Sequence, residues 1–262
     1  MIARAVLCPY PPLLARELTG RDAVVPELHA ACAEAVAWLV RDAPGRVIVV
    51  GPAPSTADWD PGARLDLSAF APALKDGGKP DLPLSVGLGA LLLDQAGYVG
   101  PRIVQAVGER EPAARCMRLG VSLAAAAGNG AVMLVLGDGS ARRSVSAPGH
   151  LDERAVPFDD AVQRAVRDGD LAALAGLDPG LAHDLMVTGR PAWQVLAGAW
   201  GPGRPAAEVL YADAPFGVAY LVARFEAAGR ERGGDQRGAV SVSGGWSGAA
   251  GVQRWSRRAS FQ

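Results

Sequence analysis

The chain has 262 residues, with 26 Lys and Arg against 27 Asp and Glu, for a net charge of -1. That length supports one large domain with a substantial core. The near-neutral balance leaves no overall electrostatic footprint for nucleic acid or an anionic membrane. Cys8, Cys32 and Cys116 are odd in number and widely spaced, which argues against a disulfide framework or a zinc ribbon and fits a reducing, cytoplasmic setting.

Residues 2–8 form a short apolar run, predicted as a buried strand. A helix is predicted over 27–41, where Leu28, Cys32, Ala35 and Leu39 share one face. A second strand follows at 46–50, and strand, helix, strand is the opening of an α/β layer. Residues 53–83 are dense in Pro, Gly and Asp and are predicted as loop, with one short strand at 64–67. A helix at 87–96, a strand at 102–107, a helix at 113–127 and a strand at 131–136 complete this part. The uncharged stretch 119–137 is Ala-rich and broken by Gly128-Asn129-Gly130, so it reads as helix, turn and strand, not a membrane span. The opening residues lack the apolar region and cleavage site of a secretory signal.

Beyond Pro148 the pattern turns helical. Phe158, Val162 and Ala165 mark a helix face, Asp170 opens a short helix ended near Gly176, Asp178-Pro179 caps another, and Pro191 starts one running to Trp200. These predict a small helical insertion over 159–200. Apolar runs at 208–211 and 217–225 predict a strand pair around Asp213-Ala214-Pro215. The fold class is therefore α/β, a three-layer sandwich with a mixed central sheet flanked by helices, in one domain over 1–228. Residues 229–262 carry six arginines against Glu231 and Asp235, with Trp246, Trp255 and Phe261 among them. They are predicted as a flexible tail, with a contact arm that stacks on bases or a protein partner as the alternative; a homo-oligomer is a separate possibility for the chain.

Three turns follow apolar strands: Pro9-Tyr10-Pro11-Pro12, Gly51-Pro52-Ala53-Pro54 and Gly137-Asp138-Gly139-Ser140-Ala141-Arg142. In an α/β sheet such turns gather at one edge, where ligands bind. They nominate Tyr10, Ala53, Ser55, Asp138, Ser140, Ala141 and Arg142 as pocket residues, with Asp213 from the late strand pair. Adjacent Arg142 and Arg143 suit a carboxylate or phosphate, or a solvated surface. Turn hydrogen bonding alone also accounts for Asp138 and Ser140. His29 with Cys32, His150 with Glu153, and His183 with Asp184 each supply too few donors for a metal. No phosphate-binding or serine-hydrolase motif occurs.

The run Leu7-Cys8-Pro9-Tyr10-Pro11-Pro12-Leu13-Leu14, the block from Leu136-Gly137-Asp138-Gly139-Ser140 through Ala147-Pro148-Gly149 to Gly169-Asp170-Leu171, and Tyr211-Ala212-Asp213-Ala214-Pro215 with Phe216-Gly217-Val218-Ala219-Tyr220 together resemble the class III extradiol ring-cleavage dioxygenases of the LigB type. The resemblance covers nearly all of 1–225. It implies an Fe(II) centre held by two histidines and a carboxylate, with a further histidine moving protons. The chain departs from that pattern, because Tyr10 stands at the first histidine, Ala53 near the second and Ala141 at a third. The resemblance therefore implies a pocket for a small aromatic or anionic molecule without a cofactor, with Fe(II) expected only if the family activity is retained. An active enzyme with a remodelled site, using oxygen ligands such as Asp138 and Asp213 or metal-free acid and base chemistry, is one alternative. A non-catalytic subunit or scaffold is the other.

Overall fold

The computed structural model describes residues 2–20, 23–74 and 81–227, so the predicted tail at 229–262 lies outside the described residues. In chain order come β1 (Arg4–Cys8), a 3-10 turn (Pro12–Leu14), α1 (Arg16–Thr19), α2 (Pro26–Val40), β2 (Val47–Ala53), β3 (Ala57–Trp59) and β4 (Arg64–Leu65). After a second 3-10 turn (Pro72–Leu74) follow β5 (Asp81–Leu82), α3 (Leu84–Gln95), β6 (Arg102–Gly108), α4 (Ala113–Ala127) and β7 (Val132–Leu136). Then come α5 (Ala155–Arg167), α6 (Leu171–Ala175), α7 (Pro179–Asp184), α8 (Arg190–Trp200), β8 (Ala206–Asp213) and β9 (Tyr220–Glu226).

The main sheet runs β3-β6-β2-β7-β1-β9-β8. β6, β2, β7 and β1 are mutually parallel, while β3 and β9 join antiparallel on either side and β8 pairs antiparallel with β9. All residues of β1, β2 and β7 are buried, as expected of strands covered on both faces, and this is why they read as unbroken apolar runs. The two cores divide by strand alternation. Ala5 and Leu7, Ile48 and Val50, and Met133 and Val135 go to one side; Val6 and Cys8, Val47 and Val49, and Leu134 and Leu136 go to the other.

One face carries α2 and α3, bringing Leu28, Cys32, Leu39, Leu88 and Leu93. The other carries α4, α5, α6 and α8, bringing Leu123, Phe158, Leu174, Trp193 and Leu196. This is a three-layer α/β sandwich. The helices predicted over 159–200 appear as α5 to α8, starting at Ala155, and the last of them is integral to the layer, since every residue of α8 is buried. It crosses α4 backbone to backbone. A Cβ on Gly120 would overlap the Val195 carbonyl, and one on Gly198 would overlap that of Met117.

Two further differences from the sequence reading stand out. β3 lies inside the stretch predicted as loop, an edge strand of three residues whose pairing comes from β6. β2 extends through Gly51, Pro52 and Ala53, so those residues are strand, not turn. Pro52 is tolerated there because the β7 side of β2 is paired only as far as Val50, and the missing N–H leaves no gap in a ladder. The three cysteines are free and buried. Among the described residues no helix is long and apolar enough to cross a membrane.

Candidate functional site

Parallel pairing of β1, β2, β6 and β7 sends the segments after Cys8, Ala53, Gly108 and Leu136 to one sheet edge. There the main-chain N–H of Tyr10 donates to Asp138 Oδ1 at 2.9 Å. The Tyr10 phenol lies within electrostatic reach of Asp138 and of Glu109, and beside the Thr188 hydroxyl, whose Oγ1 is buried and closes no hydrogen bond. Burial pushes the Asp138 carboxyl up to about 7, and the Tyr10 N–H restrains the rise. Burial, then the Asp138 charge, lifts the Tyr10 phenol well above its ordinary value, so it stays protonated as a donor. The Tyr220 phenol is raised for the same two reasons.

The turn after β7 is stitched in place from several directions. Gly139 N–H donates to Ala219 O, Ala219 N–H to Ser140 O, Ala141 N–H to Leu185 O, and Gly189 N–H to Asp138 O. The last of these brings Thr188 beside Tyr10. Gly139 has no room for a side chain, since a Cβ would lie 2.7 Å from that of Ala219 and 2.8 Å from Asp159 Oδ1. The Ser140 N–H donates to Asp159 Oδ1 at 2.9 Å, and burial pushes the Asp159 carboxyl up to about 6.

The nominated residues separate. Tyr10 and Asp138 meet. Ser140 is buried, its hydroxyl donating to Leu185 O and accepting from Arg142 N–H, so it holds the turn and does not face a cleft. Ala53 and Ala141 are buried wall residues. Ser55 is exposed in the link after β2, where neighbouring Thr56 accepts from Gly108 N–H and donates to Glu111. The two arginines part company. Arg142 lines an open hollow of about 450 Å³ with Asp152, Arg154 and His183, whereas Arg143 turns to Asp159, 3.6 Å away. Asp213 is exposed at the end of β8, where it accepts from Ala214 N–H, and with Arg143, Asp159 and Tyr220 it lines a cavity of about 120 Å³. A larger hollow of about 570 Å³ lies along α3 and β4 and includes none of the three strand-end turns, so size does not mark the site here.

The donor set does not fit the iron centre that the resemblance implies. Tyr10, Ala53 and Ala141 bring no imidazole. His29 is on α2 near Leu13 and Arg16, and His150 and His183 are exposed. Among the described residues no group of three or more His, Cys, Asp or Glu side chains could hold a metal ion.

No family model matches the chain, and no curated protein matches it. Among solved structures it is similar to the crystal structure of uncharacterized protein JW3007 from Escherichia coli K12, with a TM-score of 0.54 and 14% identity over 85% of this chain and 99% of that one. At that identity the likeness shows the fold.

Glu109, Asp159, Thr188, Arg190 and Trp193 escaped the sequence reading. Arg190 is buried in α8 and donates to Glu109 O and Glu111 O, each at 2.6 Å, and to Gln194 Oε1 at 2.9 Å. It thereby fixes the segment that carries Glu109. One signal was available in the sequence, an arginine at the start of an otherwise apolar helix.

Proposed function

We propose that this chain is a divergent relative of the LigB-type extradiol dioxygenases that binds a small aromatic molecule at the strand-end site without Fe(II). The observation that carries the reading is the Tyr10 and Asp138 pair. Where relatives present an imidazole, this chain has a neutral phenol beside a carboxylate already engaged by a main-chain N–H. Tyr10, Thr188 and Asp138 together offer donors and an acceptor suited to a ring hydroxyl. The anionic half of the expectation has less support, because Arg143 faces Asp159 and Arg142 lies among Asp152 and Asp184. Three free, buried cysteines suit a reducing compartment, and a cytoplasmic site of action is part of the proposal.

The test is to purify the protein anaerobically with Fe(II), measure iron, and titrate 4-nitrocatechol. The reading expects no stoichiometric iron and no ring-opened product. It also expects saturable binding that Tyr10→Phe and Thr188→Val each weaken by about tenfold, as loss of one hydrogen bond to a buried polar group predicts. Stoichiometric iron with a yellow product from catechol overturns it.

A second reading, metal-free acid and base catalysis, draws on Asp138, whose carboxyl at about 7 is matched to proton transfer near neutral pH. On that reading bound 4-nitrocatechol loses a proton through an apparent pKa near that of Asp138, and Asp138→Asn abolishes the step. If the bound spectrum is the same in both proteins, binding is the whole function of the pair.

A further inference from the structure

A second site, independent of the family reading, is the hollow that Arg142 lines, which includes neither Tyr10 nor Asp138. At about 450 Å³ it falls within the roughly 300–1,000 Å³ of small-molecule sites. Most of its charged groups are committed to one another. Arg154 grips Asp152 as a fork, with Nε donating to Oδ1 at 3.0 Å and Nη2 to Oδ2 at 2.9 Å, and its Nη1 reaches Asp184 Oδ2 at 3.4 Å. Arg110 stands beside His183, Nη2 to Nε2 at 3.2 Å, and a guanidinium can only donate, so the imidazole accepts. Arg142 is the exception. Among the described residues its guanidinium closes no hydrogen bond and no ion pair; Asp152 feels its charge, but less than that of Arg154.

The uncommitted group is nevertheless held in place. Arg142 N–H donates to Ser140 Oγ at 3.1 Å, and its carbonyl accepts from Asp152 N–H at 3.0 Å. A Cβ on Gly149 would lie 2.6 Å from Arg142 Cγ and 2.5 Å from Met186 Sδ, so a bare backbone at 149 lets the arginine stem and the thioether crowd one spot. Nε is buried, whereas the residue as a whole is half-buried, so Nη1 and Nη2 are the donors that Arg142 presents to the hollow. A guanidinium placed in advance gives up little freedom on meeting an anion, and its paired N–H groups match the two oxygens of a carboxylate. Charge limits the choice. Arg110, Arg142 and Arg154 stand at or beside the hollow against Asp152 and Asp184, so a monoanion is balanced and a dianion is not. Met186, 42% exposed, supplies an apolar wall.

We propose that this hollow binds a small monocarboxylate with a short apolar tail, its carboxylate on Arg142 Nη1 and Nη2 and its tail against the Met186 thioether.

The full chain is titrated calorimetrically with butyrate, acetate, inorganic phosphate and butylammonium at constant, low ionic strength, and its melting is followed with each. Butyrate binds and raises the melting temperature. Acetate binds at least about threefold more weakly, for want of the methylene groups that meet Met186; phosphate binds more weakly than butyrate, and butylammonium does not bind. Arg142→Met keeps a stem over Gly149 but loses the donors and the charge, so it weakens butyrate at least about tenfold. Met186→Gly suits the positive φ of 56° at that position and reduces the affinity for butyrate to that for acetate. Asp184→Asn, at an exposed position, folds normally and tightens butyrate by about threefold through charge alone. Failure of butyrate to bind, phosphate or butylammonium binding as tightly as butyrate, or an Asp184→Asn protein no tighter than the wild type overturns the proposal. So does a folded Arg142→Met that retains wild-type affinity, or a folded Met186→Gly that still prefers butyrate to acetate.

Discussion

Tyr10 and Asp138 each lie two residues beyond a matched pair, Cys8 and Leu136, on the neighbouring parallel strands β1 and β7, so the strand register brings them together. A one-residue slip would turn the alternating core contacts of β1 to the wrong face. The site geometry is therefore locked by core packing some distance below it.

That placement gives the protein a definite pH response. Asp138 titrates near 7 in the folded chain and near 3.8 as a free carboxyl, and Asp159 is raised to about 6 for the same reason, burial. Between about pH 4 and 7 the folded state holds protons that the unfolded chain has released, so stability is greatest at the acidic end and falls as pH rises. Asp138→Asn removes the penalty of ionisation while keeping an oxygen for Tyr10 N–H. It is expected to stabilise the protein by about 1–2 kcal/mol at pH 8 and hardly at all at pH 4.5. Thermal melts of both proteins across that range check it, and an equal shift at both ends would mean that the charge is not responsible.

Three guanidinium groups surround one indole. Arg4, Arg41 and Arg224 lie 5.5, 5.3 and 5.5 Å from the Trp38 ring, joining α2 to β1 and β9. Trp38→Ala is expected to lose about 3 kcal/mol, from lost packing together with cation–π attraction. Trp38→Phe should lose roughly half as much. Urea unfolding of the pair measures the difference.

Adding a methyl group to a helical glycine normally stabilises by about 0.5–1 kcal/mol. At Gly120 and Gly198 the sign reverses, because the new carbon would overlap a carbonyl of the facing helix. Gly120→Ala and Gly198→Ala should each lose about 3 kcal/mol or more. Gly45→Ala, with nothing within 4 Å, should stay within about 0.5 kcal/mol. Circular-dichroism melts of the three variants decide the matter.

Arg190→Met would leave the Glu109 and Glu111 carbonyls and Gln194 Oε1 without their donor. The expected loss is about 3–4 kcal/mol. Arg190→Lys, which cannot reach several acceptors in one plane, should recover only part. Because Glu109 follows the same segment, 4-nitrocatechol binding should weaken in a folded Arg190→Lys protein; unchanged binding would separate this anchor from the site.

Much of the scaffold was legible wherever the signal is local. The α4 bounds follow from composition alone, and Asp170 and Asp178 cap α6 and α7 as their side chains predict, accepting from Ala173 N–H and Leu181 N–H. What escaped is defined by distant partners. β3 is a strand because β6 offers an open edge, and Arg190 can be buried because two carbonyls beyond β6 reach it. The same holds at the site. Tyr10 and Asp138 were visible as strand-end residues, but Thr188 arrives only because Gly189 is tied to Asp138 O. Asp159 reads as an ordinary helix position, and its tie to the turn after β7 depends on the Ser140 N–H, nineteen residues earlier in the chain.

The place of β1 between β7 and β9 also bears on how the chain is made. β1 leaves the ribosome well before β7 and β9, and cannot complete its ladders until both have followed it. During synthesis, then, the segment bearing Tyr10 waits with an open flank, and a chaperone that shields an unfinished sheet would meet this protein early and release it late.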